Sequence, residues 1–199
     1  MPTLMKDIVL ASFEESIRVK ERFVKENLDA LLTAARRVAT CFASGHKLLI
    51  FGNGGSAADA QHIAAEFVNR FTVERKPLPA LALSTDTSIL TSVSNDYSFD
   101  EVFSKQIKAL GKRDDLVLGI STSGNSKNVI LAVETARDIG LYTLGLTGCG
   151  GGKLADCCDL ALIVDCRETP RIQETHITAE HILCELVDRI LFPEAFGET

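Results

Sequence analysis

The chain reads as an α/β protein: a five-stranded parallel sheet in three layers, with helices on both faces and a helical extension at its N-terminus. Three observations carry that reading. From Lys47 onward five short apolar runs recur, and four of them are near-continuously apolar, as strands buried on both faces are. Helical periods separate the runs. Ahead of them, residues 4–44 carry helix signals alone. Strand and helix alternating in this way predict a doubly wound sheet.

Taken in order, residues 1–45 form the extension. "LMKDIVLASFEESIRVKERFVKEN" sets Ile8, Ser12, Ile17, Phe23 and Val24 among charges at mixed three- and four-residue spacing. "LDALLTAARRVATCFASG" then repeats Leu28, Leu31, Leu32, Ala35, Val38, Ala39 and Phe42 on one face, with Gly45 as a stop. Two helices are predicted, and their apolar stripes need a partner, either the rest of the chain or another subunit. Residues 46–199 form the sheet domain. Its strands are predicted at 47–51, 80–84, 115–121, 142–147 and 160–165. Its helices are predicted at 56–70, 86–94 followed by 99–110, 126–139 and 151–156. A last helix follows Pro170, a residue suited to a first helical turn, and ends near Leu191 at "FP".

Composition narrows the function. The chain has 199 residues, 46% of them hydrophobic, enough for a sizeable core. Its net charge is −6, and 21 Lys and Arg spread evenly leave no basic stripe for a nucleic-acid backbone. No run approaches ~18 uncharged apolar residues, so no membrane span is expected. Residues 1–7 have no apolar run of signal length. The six cysteines (Cys41, Cys149, Cys157, Cys158, Cys166 and Cys184) form no C-x-x-C pair. Reduced thiols in a cytoplasmic protein are the simpler reading.

Two loops follow strands with unusual chemistry, at the strand ends where open parallel sheets bind ligands. "GNGGS", Gly52–Ser56, leaves the first run and opens a helix. "STSGNS", Ser121–Ser126, offers hydroxyls and amides around one glycine with a helix start just beyond. Hydroxyls and free N–H groups at a helix start make a phosphate site without a lysine. The same residues are also ordinary turn and cap material. The first loop lacks the Walker lysine and the G-x-G-x-x-G spacing, and no acidic residue stands where a dinucleotide ribose would sit. A small phosphorylated molecule is therefore favoured over a nucleotide.

His62 and Glu66 stand one turn apart on the helix opened by the first loop. A surface i,i+4 pair of this kind is common, and it also suits a metal or proton transfer. On the last helix, "RIQETHITAEHIL" projects Gln173 and His181 from one side, two turns apart. His176 is expected in a satisfied structural role, and His46 in solvent.

The elements "GNGGSAADAQH.AAEF", "ND", "GISTSGNS", "LTG..GG" and "RIQE.HI...HI" resemble the sugar isomerase (SIS) domain family and, within it, the bacterial phosphoheptose isomerases. The resemblance spans nearly the whole chain. It implies a flavodoxin-like α/β sandwich assembled as a homotetramer. It also implies conversion of sedoheptulose 7-phosphate to D-glycero-D-manno-heptose 7-phosphate, the entry to the heptose of lipopolysaccharide. The family's zinc ligands fall on His62, Glu66, Gln173 and His181. Its substrate contacts fall on Asn53, Gly54, Gly55, Glu66, Asn95, Asp96, Ser121, Thr122, Ser123, Ser126 and Gln173. Glu66 and His181 take the catalytic roles, as carbon base and as acid–base group at the oxygens. If both bind zinc, neither is a base without moving. A second resemblance, through "NRFTVER" and "ILFP", is to SIS proteins that associate with the replication initiator. It implies a non-catalytic binding tetramer instead.

Overall fold

The computed structural model describes residues 2–197. The sheet is all parallel and has five strands: β1 (Leu48–Gly52), β2 (Ala80–Ala82), β3 (Leu116–Ser121), β4 (Tyr142–Gly148) and β5 (Leu160–Val164). Their order is β2-β1-β3-β4-β5, and the register pairs Leu48 with both Ala80 and Leu116. The chain leaves β1 for one side of the sheet and returns as β3 on the other. The switch point of the winding therefore lies between β1 and β3, where open α/β sheets form their ligand crevice.

Strand alternation splits the core into two. Leu48 and Ile50 point to one face with Leu118, Ile120, Leu144 and Leu146, beneath α1 (Pro2–Ala43), α2 (Gly55–Val68) and α7 (Thr169–Leu191). Leu49, Phe51 and Val117 point to the other. That face is covered by α4 (Val102–Leu110), α5 (Lys127–Asp138) and α6 (Gly152–Cys157). The helix α3 (Thr87–Asp96) starts on an Asp86 side chain that accepts from the Ile89 N–H, and it contributes no buried residue. Among the described residues no helix is long and apolar enough to cross a membrane.

The predicted pair of N-terminal helices is one continuous helix of 42 residues. The expected break fell after Asn27, a weak helix former. That residue is buried, and its amide donates to the Phe23 and Ile163 carbonyls while accepting from the Ile163 N–H. Mid-helix asparagine is tolerated when its polar groups find partners, and here they tie α1 to the β5 edge strand. From Leu31 to Phe42 the predicted apolar face is buried against the sheet, apart from a half-buried Leu32, whereas Leu28 is 52% exposed. Two smaller expectations also change. The stretch from Phe99 begins as a 3₁₀ turn before α4. His46 is half-buried, its Nδ1 3.6 Å from the buried Asp115 carboxylate rather than in open solvent.

Candidate active site

The two loops leave β1 and β3, neighbours at the switch point. In the first, Gly54 takes φ 56° and α2 starts at Gly55 with no side-chain cap. A β-carbon on Gly55 would run into the Gln173 carboxamide, so glycine lets α7 pack directly on this loop. In the second, Gly124 takes φ 64°, and a β-carbon there would strike the Gly151 carbonyl. The loops are joined by a reciprocal amide pair. Asn53 Nδ2 donates to Asn128 Oδ1 at 2.8 Å, and Asn128 Nδ2 donates to Asn53 Oδ1 at 2.9 Å.

The hydroxyls of the second loop bond chiefly to one another. Ser121 Oγ donates to Ser126 Oγ at 3.0 Å and lies 3.5 Å from Ser123 Oγ, which accepts from the Asn125 N–H. Ser126 occupies the N-cap position of α5, yet its side chain makes no capping bond. The first turns of α2 and α5 thus both begin without a side-chain acceptor, the arrangement that suits an external anion.

His62, Glu66 and His181 converge. His62 Nε2 is 2.8 Å from His181 Nε2 and 3.5 Å from Glu66 Oε1. The two rings meet edge to face with centroids 5.0 Å apart, and Phe71 stacks on His181 at 5.5 Å. Gln173 lies against Gly55. Two imidazoles and a carboxylate are donors of the kind that hold zinc, and by chemistry the set fits. By spacing, His62 and His181 bond each other directly, and among the described residues no group of three or more His, Cys, Asp and Glu is set to hold an ion.

Asn95 and Asp96 stand apart from this cluster. Both are exposed at the end of α3, Asn95 Nδ2 donating to Asp96 Oδ1 at 2.8 Å, and among the described residues neither bonds to the two loops. His176 is fully buried and donates through Nε2 to the Thr147 carbonyl at 3.1 Å. Burial pushes it down to about 4, so it is a neutral structural imidazole at physiological pH.

Sequence reasoning missed the groups beneath the site. Asp59 precedes His62 by three residues on the same face of α2, and Glu180 adjoins His181. Burial pushes Asp59 up to about 6, against the pull of His62. Burial and the nearby Asp59 hold Glu180 well above the usual carboxylate range. Neither Glu180 oxygen has a hydrogen-bond partner. Asn128, two residues past Ser126, carried no sequence signal, because its pairing with Asn53 depends on how β1 and α5 come together.

The SIS domain family model matches residues 12–148. A phosphoheptose isomerase of Nitratidesulfovibrio vulgaris is 56% identical over 93% of this chain and 89% of its own length. Solved phosphoheptose isomerase structures from Neisseria gonorrhoeae and Francisella tularensis superpose with TM-scores of 0.88 and 0.90, at 46% and 39% identity. They cover 92% and 93% of this chain and 98% of each neighbour. Fold, loops and cluster thus define a SIS-domain protein. The chain belongs to the phosphoheptose isomerase family.

Proposed function

We propose that this chain is an aldose–ketose isomerase that interconverts sedoheptulose 7-phosphate and D-glycero-D-manno-heptose 7-phosphate. The observation that carries the reading is the convergence of His62, Glu66 and His181 beside two helix starts that lack side-chain caps. The phosphate sits on the N–H groups and hydroxyls of residues 121–126, and the Asn53–Asn128 pair fixes that loop to the first. The reacting end of the sugar then lies toward Glu66 and His181.

Isomerisation moves a proton between C1 and C2 through an enediolate. Glu66 takes the proton from one carbon and returns it to the other. His181, whose Nε2 lies 2.8 Å from His62 Nε2, moves the accompanying proton between the two oxygens. Phe71, stacked on the His181 ring, limits its rotation and excludes water from that side. His62, Glu66, Gln173 and His181 are the residues that would hold zinc. When bound, the ion would polarise the carbonyl and hydroxyl oxygens as a Lewis acid, and Glu66 and His181 would have to move off it to act on protons.

Around this chemistry we place a cytoplasmic homotetramer that supplies the heptose of lipopolysaccharide. Six free cysteines among the described residues agree with a reducing compartment. The binding-protein alternative is not favoured: Glu66 and His181 are both in place, and the relatives compared above are isomerases by name. The test is turnover of sedoheptulose 7-phosphate by the purified protein with zinc supplied. An aldose phosphate product is expected, and no turnover overturns the reading.

A further inference from the structure

The segment "NRFTVER", Asn69–Arg75, touches the site as described only through Phe71, yet its last residue lies at the centre of a buried ionic knot. The Arg75 and Asp188 side chains are 1% and 0% exposed. Arg75 Nε donates to Asp188 Oδ1 on α7 at 2.9 Å. Its Nη2 donates to the Glu66 carbonyl at 2.9 Å and its Nη1 to the Phe67 carbonyl at 2.8 Å. Longer bonds reach the Asn69 and Lys76 carbonyls at 3.1 and 3.3 Å.

The last carbonyls of a helix lack intrahelical partners. Here those of Glu66, Phe67 and Asn69 all end on one guanidinium. Because α2 stops at Val68, Glu66 belongs to its last turn, the part of a helix that frays first. Asp188 follows His181 by seven residues, about two turns along α7. One side chain therefore joins the turn that carries Glu66 to the helix that carries His181. A buried ion pair alone says little about stability. Here four of the five acceptors are backbone carbonyls, so the guanidinium acts on the path of the chain. Lysine, with three donors on a point charge, does not reproduce a planar fork with five.

We propose that Arg75, held by Asp188, is a positioning residue for the isomerase site: it fixes the last turn of α2 against α7 and so sets Glu66 and His62 relative to His181. The inference rests on the isomerase reading for its kinetic consequence. Arg75 is buried and reaches no substrate. It acts through the backbone of Glu66.

The test compares Arg75→Lys and Asp188→Asn with the wild type, each checked for folding, by steady-state kinetics on sedoheptulose 7-phosphate and by native-state amide exchange along α2. Misplacement near 1 Å costs about 100-fold in rate, so Arg75→Lys should lower kcat by about 10- to 100-fold. KM should stay within about twofold, because the phosphate loops are elsewhere. Amides of residues 67–69 should exchange about tenfold faster or more, with those of 60–64 unchanged. Wild-type kcat in a folded variant overturns the proposal. So does a kcat loss with exchange raised uniformly over both helices, which marks a merely structural pair. If Arg75→Lys does not fold, Asp188→Asn carries the same two readouts with a smaller expected loss. If the wild type itself fails to turn over the sugar, the isomerase reading falls, and unchanged exchange at 67–69 alone then overturns the anchoring.

Discussion

Glu66 sits 3.5 Å from His62 with its own carbonyl bound by Arg75, so one residue connects the reacting cluster to the frame that holds it. As the carbon base it predicts a clear phenotype. Glu66→Gln should fold and bind the phosphorylated sugar, yet lose about 10²–10⁴-fold in kcat. Steady-state kinetics on the purified variant checks this, and near-normal kcat would remove Glu66 from the role. Glu180 makes a different prediction. Its carboxyl is 1% exposed and unpartnered, with its titration raised by burial and by Asp59. A carboxyl raised on folding contributes stability in full below its unfolded value, 4.5 here, and that contribution is lost as pH climbs through the folded value. Asp59 adds to the same loss between 3.8 and about 6. Glu180→Gln abolishes the Glu180 part, so the variant should be more stable than wild type by about 1–3 kcal/mol at pH 8. The gap should shrink toward pH 4. Urea unfolding at the two pH values is the measurement, and a gap that does not change with pH would place the cost elsewhere.

The second loop and α5 act as one element. Ser121, Ser123 and Ser126 bond among themselves, and none serves as a side-chain cap for α5. That disfavours the reading of "STSGNS" as plain capping material and agrees with the phosphate role proposed above. Ser123→Ala should raise KM for the phosphorylated sugar by about tenfold, one charge-assisted bond being worth roughly 1.5–3 kcal/mol. The melting temperature and kcat should change little. A lowered melting temperature with KM unchanged would return the loop to a structural role. The same element logic explains α1. Its second half is a buried cover for the sheet, and the Asn27 bonds to Phe23 and Ile163 carry the helix through the residue where periodicity suggested a break.

At the scale of the molecule, the first half of α1 leaves Leu4, Met5, Ile8, Val9, Phe13 and Ile17 between 55% and 70% exposed. A contiguous apolar face of this kind marks an interface. Self-association should bury it, and light scattering at micromolar concentration should report about four times the 21.6 kDa chain mass. Phe13→Glu combined with Ile17→Glu should dissociate the assembly. A monomeric wild type would overturn the expectation.

From Lys47 onward the order of strands and helices was decided by the sequence alone, because buried parallel strands must be apolar along their length and covering helices must carry one apolar face. The two loops were legible for the same kind of reason: φ values of 56° at Gly54 and 64° at Gly124 demand a residue without a side chain. His62 and Glu66 could be paired from their spacing, since four residues make one turn. Their meeting with His181 could not. That contact joins residues 119 positions apart and depends on how α2 and α7 pack, which no local pattern encodes. Arg75 was quoted only as part of a resemblance, because a buried arginine looks in sequence like any solvated one until its five acceptors are in place. Glu180 reads as one more charge on a helix, and only packing against the sheet takes it out of water. Local periodicity depends on the backbone of one segment, whereas burial and convergence depend on which segments touch, so the resemblance could name His181 beside His62 but only the tertiary structure set the contact between them.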